Sequence, residues 1–191
     1  MNFELVKKEI EDAIAIKVAL LDDPILLNKI VEISSQCVNS LLKGGKVIFC
    51  GNGGSFADAQ HLSAEFTSRF LFDRPTLASI ALGTNCSGLT AMANDYGYEN
   101  VFSRELEALG KPEDTLIGIT TSGNSENVLN CVNVAKTMEI ETFILTGKSG
   151  GVVKEMANCL LIPSNETARV QECHILIGHI ICGFVEKHLF K

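Results

Sequence analysis

His61 and Glu65 lie four residues apart, which on a helix puts them on one face, about 40° out of line. An imidazole and a carboxylate so placed can pass a proton or hold a divalent cation. They can equally form an ordinary hydrogen-bonded surface pair. Just upstream stands a glycine loop, Gly51-Asn52-Gly53-Gly54-Ser55. Such a loop lets backbone N–H groups approach an anion, and a following helix adds its positive end. A second turn of the same kind is Thr120-Thr121-Ser122-Gly123-Asn124-Ser125. Ser55, Thr120, Ser122 and Ser125 are therefore candidate donors to a phosphate. Ser and Thr also cap helices everywhere; it is the repetition of the turn that favours the phosphate reading. A phosphate cradle with an imidazole–carboxylate pair two to three turns down the helix can hold two ends of one sugar phosphate.

Gln171 and His179 add two more polar groups near the end of the chain. Eight residues of helix separate them by a rise of about 12 Å and a rotation of about 80°. They meet one small ion only if it lies midway; otherwise they serve neighbouring points of an extended ligand, or two copies of the helix. His61, Glu65, Gln171 and His179 together can hold a divalent metal. Zinc favours imidazole and carboxylate, and an amide is a less common ligand. His174 points roughly 140° away from His179 and reads as a structural, hydrogen-bonded histidine. Arg69 can steady Glu65 from the next turn or meet the substrate.

Two familiar loops are excluded. A dinucleotide fingerprint needs a third glycine where Phe56 stands, and a nucleotide P-loop ending at Gly147-Lys148-Ser149 needs one where Thr142 stands.

The elements that must position these groups alternate. Residues 3–20 and 24–43 read as two amphipathic helices, with Asp23 capping the second and Pro24 at its first position. Residues 47–50 are a buried strand, and Ser55 is expected to cap a helix running through Phe66. Strands are expected at 77–82, 114–119, 142–145 and 159–163, with helices at 86–95, 101–109, 126–138 and 167–189 between and after them. This is an α/β chain: a doubly wound, five-stranded parallel sheet flanked by helices, preceded by two helices within 1–44. Loops at the carboxyl ends of such strands gather at one edge, where ligands bind.

At 191 residues, one domain spanning 1–191 is expected. Only 20% of residues are charged and the mean hydropathy is +0.22, which implies a large core or a hidden oligomer face. The net charge of −7 argues against nonspecific nucleic-acid binding. The seven cysteines form no C-x-x-C pair, so a zinc ribbon or disulfide framework is not expected. The first residues carry no signal-peptide pattern, and no stretch approaches about 20 uninterrupted apolar residues. A cytoplasmic protein without a membrane partner is expected.

Taken together, Gly51-Asn52-Gly53-Gly54-Ser55, Ala59-Gln60-His61-Leu62-Ser63-Ala64-Glu65, Thr121-Ser122-Gly123-Asn124-Ser125, Arg169-Val170-Gln171-Glu172 and His179 closely resemble the phosphoheptose isomerase branch of the sugar isomerase (SIS) domain family. The resemblance covers essentially the whole chain. It implies conversion of sedoheptulose 7-phosphate to D-glycero-D-manno-heptose 7-phosphate, the first step towards ADP- or GDP-activated heptose for lipopolysaccharide or capsule. It implies a cytoplasmic homotetramer with sites at subunit contacts and one zinc per subunit, held by His61, Glu65, Gln171 and His179. Substrate contacts would be Asn52, Gly53, Gly54, Glu65, Asn94, Asp95, Thr120, Thr121, Ser122, Ser125 and Gln171. Glu65 would be the catalytic base and His179 its acid–base partner. Some relatives in this branch are instead non-catalytic tetramers that bind a replication initiator and lack acid–base residues; both residues are present here.

Overall fold

The computed structural model describes residues 2–191. Among these the chain order is α1 (Phe3–Leu21), α2 (Pro24–Leu42), β1 (Val47–Gly51), α3 (Gly54–Thr67), β2 (Ser79–Ala81), α4 (Cys86–Tyr96), α5 (Val101–Leu109), β3 (Thr115–Thr120), α6 (Glu126–Thr137), β4 (Glu141–Thr146), β5 (Asn158–Leu161) and α7 (Thr167–Phe190). Short 3-10 turns at Tyr98–Asn100 and Val152–Glu155 fill two stretches between them. The five strands form one parallel sheet in the order β2-β1-β3-β4-β5.

Both faces of the sheet are covered, so its strands read as continuous apolar runs. Alternate side chains go to opposite sides. Val47, Phe49, Ile117, Ile119, Phe143 and Leu145 pack with α2, α3 and α7. Ile48, Cys50, Leu116 and Ile144 pack with α5 and α6. The edge strand β2 is shorter than expected, because only Ser79 to Ala81 find partners on β1.

The Asp23 carboxylate accepts from Ile25 N and Leu26 N, and Pro24 opens α2 as the sequence indicates. The helix α2 packs along α7, whereas α1 buries only Leu20. Phe3, Val6, Ile10, Ile14 and Val18 leave the apolar stripe of α1 open to solvent. By length and composition α7 is apolar enough to cross a membrane, but half of its most apolar window is buried, and it packs on α2, α3 and β4 as a core helix.

Candidate active site

The strand order reverses between β1 and β3, so the loops following these two strands flank one crevice. In the first loop, Gly53 takes φ 56°, a left-handed value that favours glycine. This turns the chain two residues earlier than expected. Gly53, not Ser55, is the N-cap, and Ser55 is buried inside the first turn of α3. No side chain caps this helix, so its first N–H groups are left without a side-chain partner, an arrangement that suits an anion.

In the second loop, Thr120 Oγ1 and Ser125 Oγ are 3.1 Å apart, and Gly123 N–H donates to Thr120 Oγ1. Ser125 stands at the N-cap of α6 but makes no side-chain capping bond there. Its hydroxyl is therefore not used up by the helix. Thr121 and Ser122 open onto a hollow of about 270 Å³ shared with Ser149, Asn165 and Thr167.

Helices α3 and α7 run side by side from this crevice. They approach closely because position 178 is glycine: a Cβ there would stand 2.5 Å from Leu62 Cδ1. The residues next to this contact meet. His61 Nε2 lies 3.0 Å from His179 Nε2 and 3.1 Å from Glu65 Oε1. All three ligand atoms lie within 4.8 Å of one another, and one chain supplies them. Two imidazole nitrogens and a carboxylate oxygen with open space beyond suit zinc, which takes such donors at about 2.0–2.2 Å and keeps a position for substrate in catalytic sites. Asp58, one turn before His61, also faces the pair. Burial pushes its carboxyl up, only partly offset by His61 and His179.

Gln171 is placed differently. Its amide lies over Gly54, where a Cβ would be 2.7 Å from Gln171 Nε2. Gly54 precedes His61 by seven residues, about 10 Å of helix. Gln171 thus covers the start of α3, and His179 stands beside His61 and Glu65 further along it. Asn94 and Asp95 are exposed at the end of α4, and Asn94 Nδ2 donates to Asp95 Oδ1. Among the described residues, no hydrogen bond ties them to α3 or α7.

Two further readings change. Arg69 lies exposed beyond the end of α3 and forms no ion pair with Glu65 among the described residues. His174 is fully buried, as a structural residue should be, but neither ring nitrogen has a hydrogen-bond partner of good geometry. Burial pushes its imidazole down to about 4, only partly offset by the Thr146 backbone. The segment after α3 is held instead by Arg74 and Glu186, both almost completely buried. Glu186 accepts from Phe70 N, Leu71 N and Arg74 Nε. Arg74 also donates to the carbonyls of Glu65, Phe66, Ser68 and Pro75. This holds the segment after α3 so that Phe70 stacks on His179, with ring centroids 5.4 Å apart. The signal for Glu186 was visible as a lone carboxylate beside the apolar run Ile175 to Val185; Phe70 sits in an irregular segment with no periodicity to point to it.

Fold and site together define an SIS-type sugar isomerase. The SIS domain family matches residues 24–147, and the chain belongs to it. Relatives along the whole chain include phosphoheptose isomerases. It is 50% identical to that of Sulfurimonas denitrificans over 97% of this chain and 95% of the relative. It is 47% identical to that of Aneurinibacillus thermoaerophilus over 98% of this chain and 96% of the relative. The solved phosphoheptose isomerase of Neisseria gonorrhoeae matches with a TM-score of 0.90 at 39% identity, covering 96% of this chain and 98% of that one. That of Francisella tularensis matches at 0.92 and 36% identity, covering 98% and 100%. The chain is an enzyme of the sugar phosphate isomerase class.

Proposed function

We propose that this enzyme converts sedoheptulose 7-phosphate to D-glycero-D-manno-heptose 7-phosphate, the first step towards nucleotide-activated heptose for lipopolysaccharide or capsule. The observation that carries the reading is the arrangement along α3. An uncapped helix start and two hydroxyl-bearing loops stand at one end, and His61, Glu65 and His179 converge at the other. The phosphate docks on the Gly53, Gly54, Ser55, Thr120, Thr121, Ser122 and Ser125 side, with Asn52 and Gln171 beside it. The reacting carbons then reach Glu65.

Glu65 takes the proton from C1 of the ketose. The electron pair forms the C1=C2 bond, and the C2 carbonyl oxygen takes up a proton. Returning the carbon-bound proton to C2 while the C1 hydroxyl loses its own gives the aldose, with no net oxidation. His179 moves the oxygen-bound proton, and Phe70 stacked on its ring fixes its plane. One zinc per subunit, held by His61, Glu65 and His179, would supply Lewis-acid polarisation of the substrate oxygens; Gln171, which lies over Gly54, would contact the substrate and not the metal.

The whole chain, 1–191, acts as one SIS domain. The open stripe of α1 supports a homotetramer in which residues 1–44 pack against other subunits. Asn94 and Asp95 then serve a site across a subunit contact. The enzyme works in the cytoplasm on a small sugar phosphate, without nucleic acid or membrane. Glu65→Gln should abolish turnover and leave fold and assembly intact; loss of the assembly would make Glu65 structural. Ser55→Ala and Ser125→Ala should mainly raise KM, and a pure loss of kcat would contradict the phosphate role.

A further inference from the structure

Asn52 opens the first loop, and its side-chain amide is almost saturated. Its Oδ1 accepts from the Tyr98 hydroxyl at 2.9 Å and from Asn127 Nδ2 at 2.9 Å. Its Nδ2 donates to Asn127 Oδ1 at 2.8 Å. A carboxamide has two acceptor positions on oxygen and two N–H donors. Three of these are taken, and the one left is an N–H.

The partners are not equivalent. Asn127 lies in the first turn of α6 and is 3% exposed, so helix and core fix its amide and Asn52 conforms to it. Tyr98 favours one sense, because its hydroxyl here donates to the Asn52 oxygen. With its O–H given to Oδ1, the Asn52 oxygen is saturated, and the amide has only a donor to offer a ligand. Without Tyr98, the reciprocal pair could turn over and present a carbonyl oxygen instead. The network also ties the first loop to the second, because Asn127 follows Ser125 by two residues. Asn52, Ser125 and Tyr98 face one hollow of about 300 Å³, whose other walls include Glu99 and Glu126. Ionised carboxylates offer an accepting oxygen, such as that of a phosphate, no donor, so the N–H at Asn52 matters there.

The geometry points to Asn127 and Tyr98 as positioning residues. They hold the Asn52 amide between the two loops and leave it one N–H for an oxygen of the sugar phosphate. This rests on the isomerase reading, in which Asn52 touches substrate.

The test is a mutant cycle read by KM, kcat and the calorimetric Kd for sedoheptulose 7-phosphate. Asn127→Leu keeps the side-chain bulk and removes both bonds to Asn52. It should raise KM and Kd about tenfold, one buried hydrogen bond's worth, with kcat within about threefold of wild type. Tyr98→Phe, at an exposed position that cannot compromise folding, should raise both by a smaller factor. In an Asn52→Leu background, neither change should weaken binding further. Unchanged Kd in both single variants would overturn the inference. So would an undiminished effect of either change in the Asn52→Leu background, which would mean it does not act through Asn52. If Asn127→Leu does not fold, Tyr98→Phe decides alone. Absence of wild-type turnover would refute the isomerase reading and leave the binding cycle to judge this one; absence of wild-type binding would refute both.

Discussion

Replacing Arg74 by methionine tests whether the buried Arg74–Glu186 pair holds the metal end of the site. The two side chains are 2% and 1% exposed, so neither charge can turn to water. The substitution leaves Glu186 with the N–H groups of Phe70 and Leu71 and no counter-ion, and strips a donor from four carbonyls. Breaking a buried pair from one side costs about 3–5 kcal/mol, a large share of a typical total of 5–15. Glu186→Gln, which keeps the shape and removes the charge, should lose less. The double variant should lose less than the two single losses added together. Urea unfolding reads these differences at a fixed chain concentration, which removes any concentration dependence that the proposed assembly would bring.

The pH dependence gives a second check. Burial pushes the Glu186 carboxyl up, but the Phe70 and Leu71 N–H groups and Arg74 outweigh it and hold it below its usual 4.5. A depressed carboxyl contributes stability above its unfolded value and loses it as pH falls through the folded one. The gap between wild type and Arg74→Met should therefore be full above pH 4.5 and narrow below it. A loss under about 1 kcal/mol, within the range of an exposed ion pair, would refute the argument. So would a gap that does not change with pH.

Gly178→Ala places a Cβ 2.5 Å from Leu62 Cδ1, so it should push α3 from α7. A loss of about 1–3 kcal/mol in urea unfolding and weaker zinc retention are expected. Gly54→Ala drives Gln171 off the start of α3; KM should rise more than kcat falls. His174 is held neutral by burial, its imidazole pushed down from 6.5 to about 4. A buried neutral base loses stability as pH falls below its unfolded value. Wild type should lose about 2 kcal/mol more than His174→Met between pH 6.5 and 5, read by unfolding at each pH. Equal losses would place the acid sensitivity elsewhere.

The sheet was legible because β1, β3 and β4 are buried runs between glycines and hydroxyls, a pattern that does not depend on distant partners. The crevice was legible for the same reason, since both loops follow such strands. His61 with Glu65 was legible from helical spacing. The addition of His179 was legible only as a possibility, because it depends on Gly178 letting α3 and α7 touch. The Ser55 cap was misread because the left-handed turn at Gly53 overrides the usual capping preference. Gln171 could not be placed by spacing alone: eight residues of α7 carry it to the start of α3, away from the turn that holds His61. Asn127 and Tyr98 left no trace in the pattern, since an amide in a helix and a phenol in a loop acquire meaning only through what they touch.

The most direct test of the isomerase reading is incubation of the purified protein with sedoheptulose 7-phosphate, following the aldose product with zinc, with a chelator, and in Glu65→Gln. Turnover by the zinc-loaded wild type is expected, lost in a folded Glu65→Gln and reduced by the chelator. No turnover from a folded, zinc-loaded wild type would contradict the reading and favour a non-catalytic binding protein, with a replication initiator as the first partner to try.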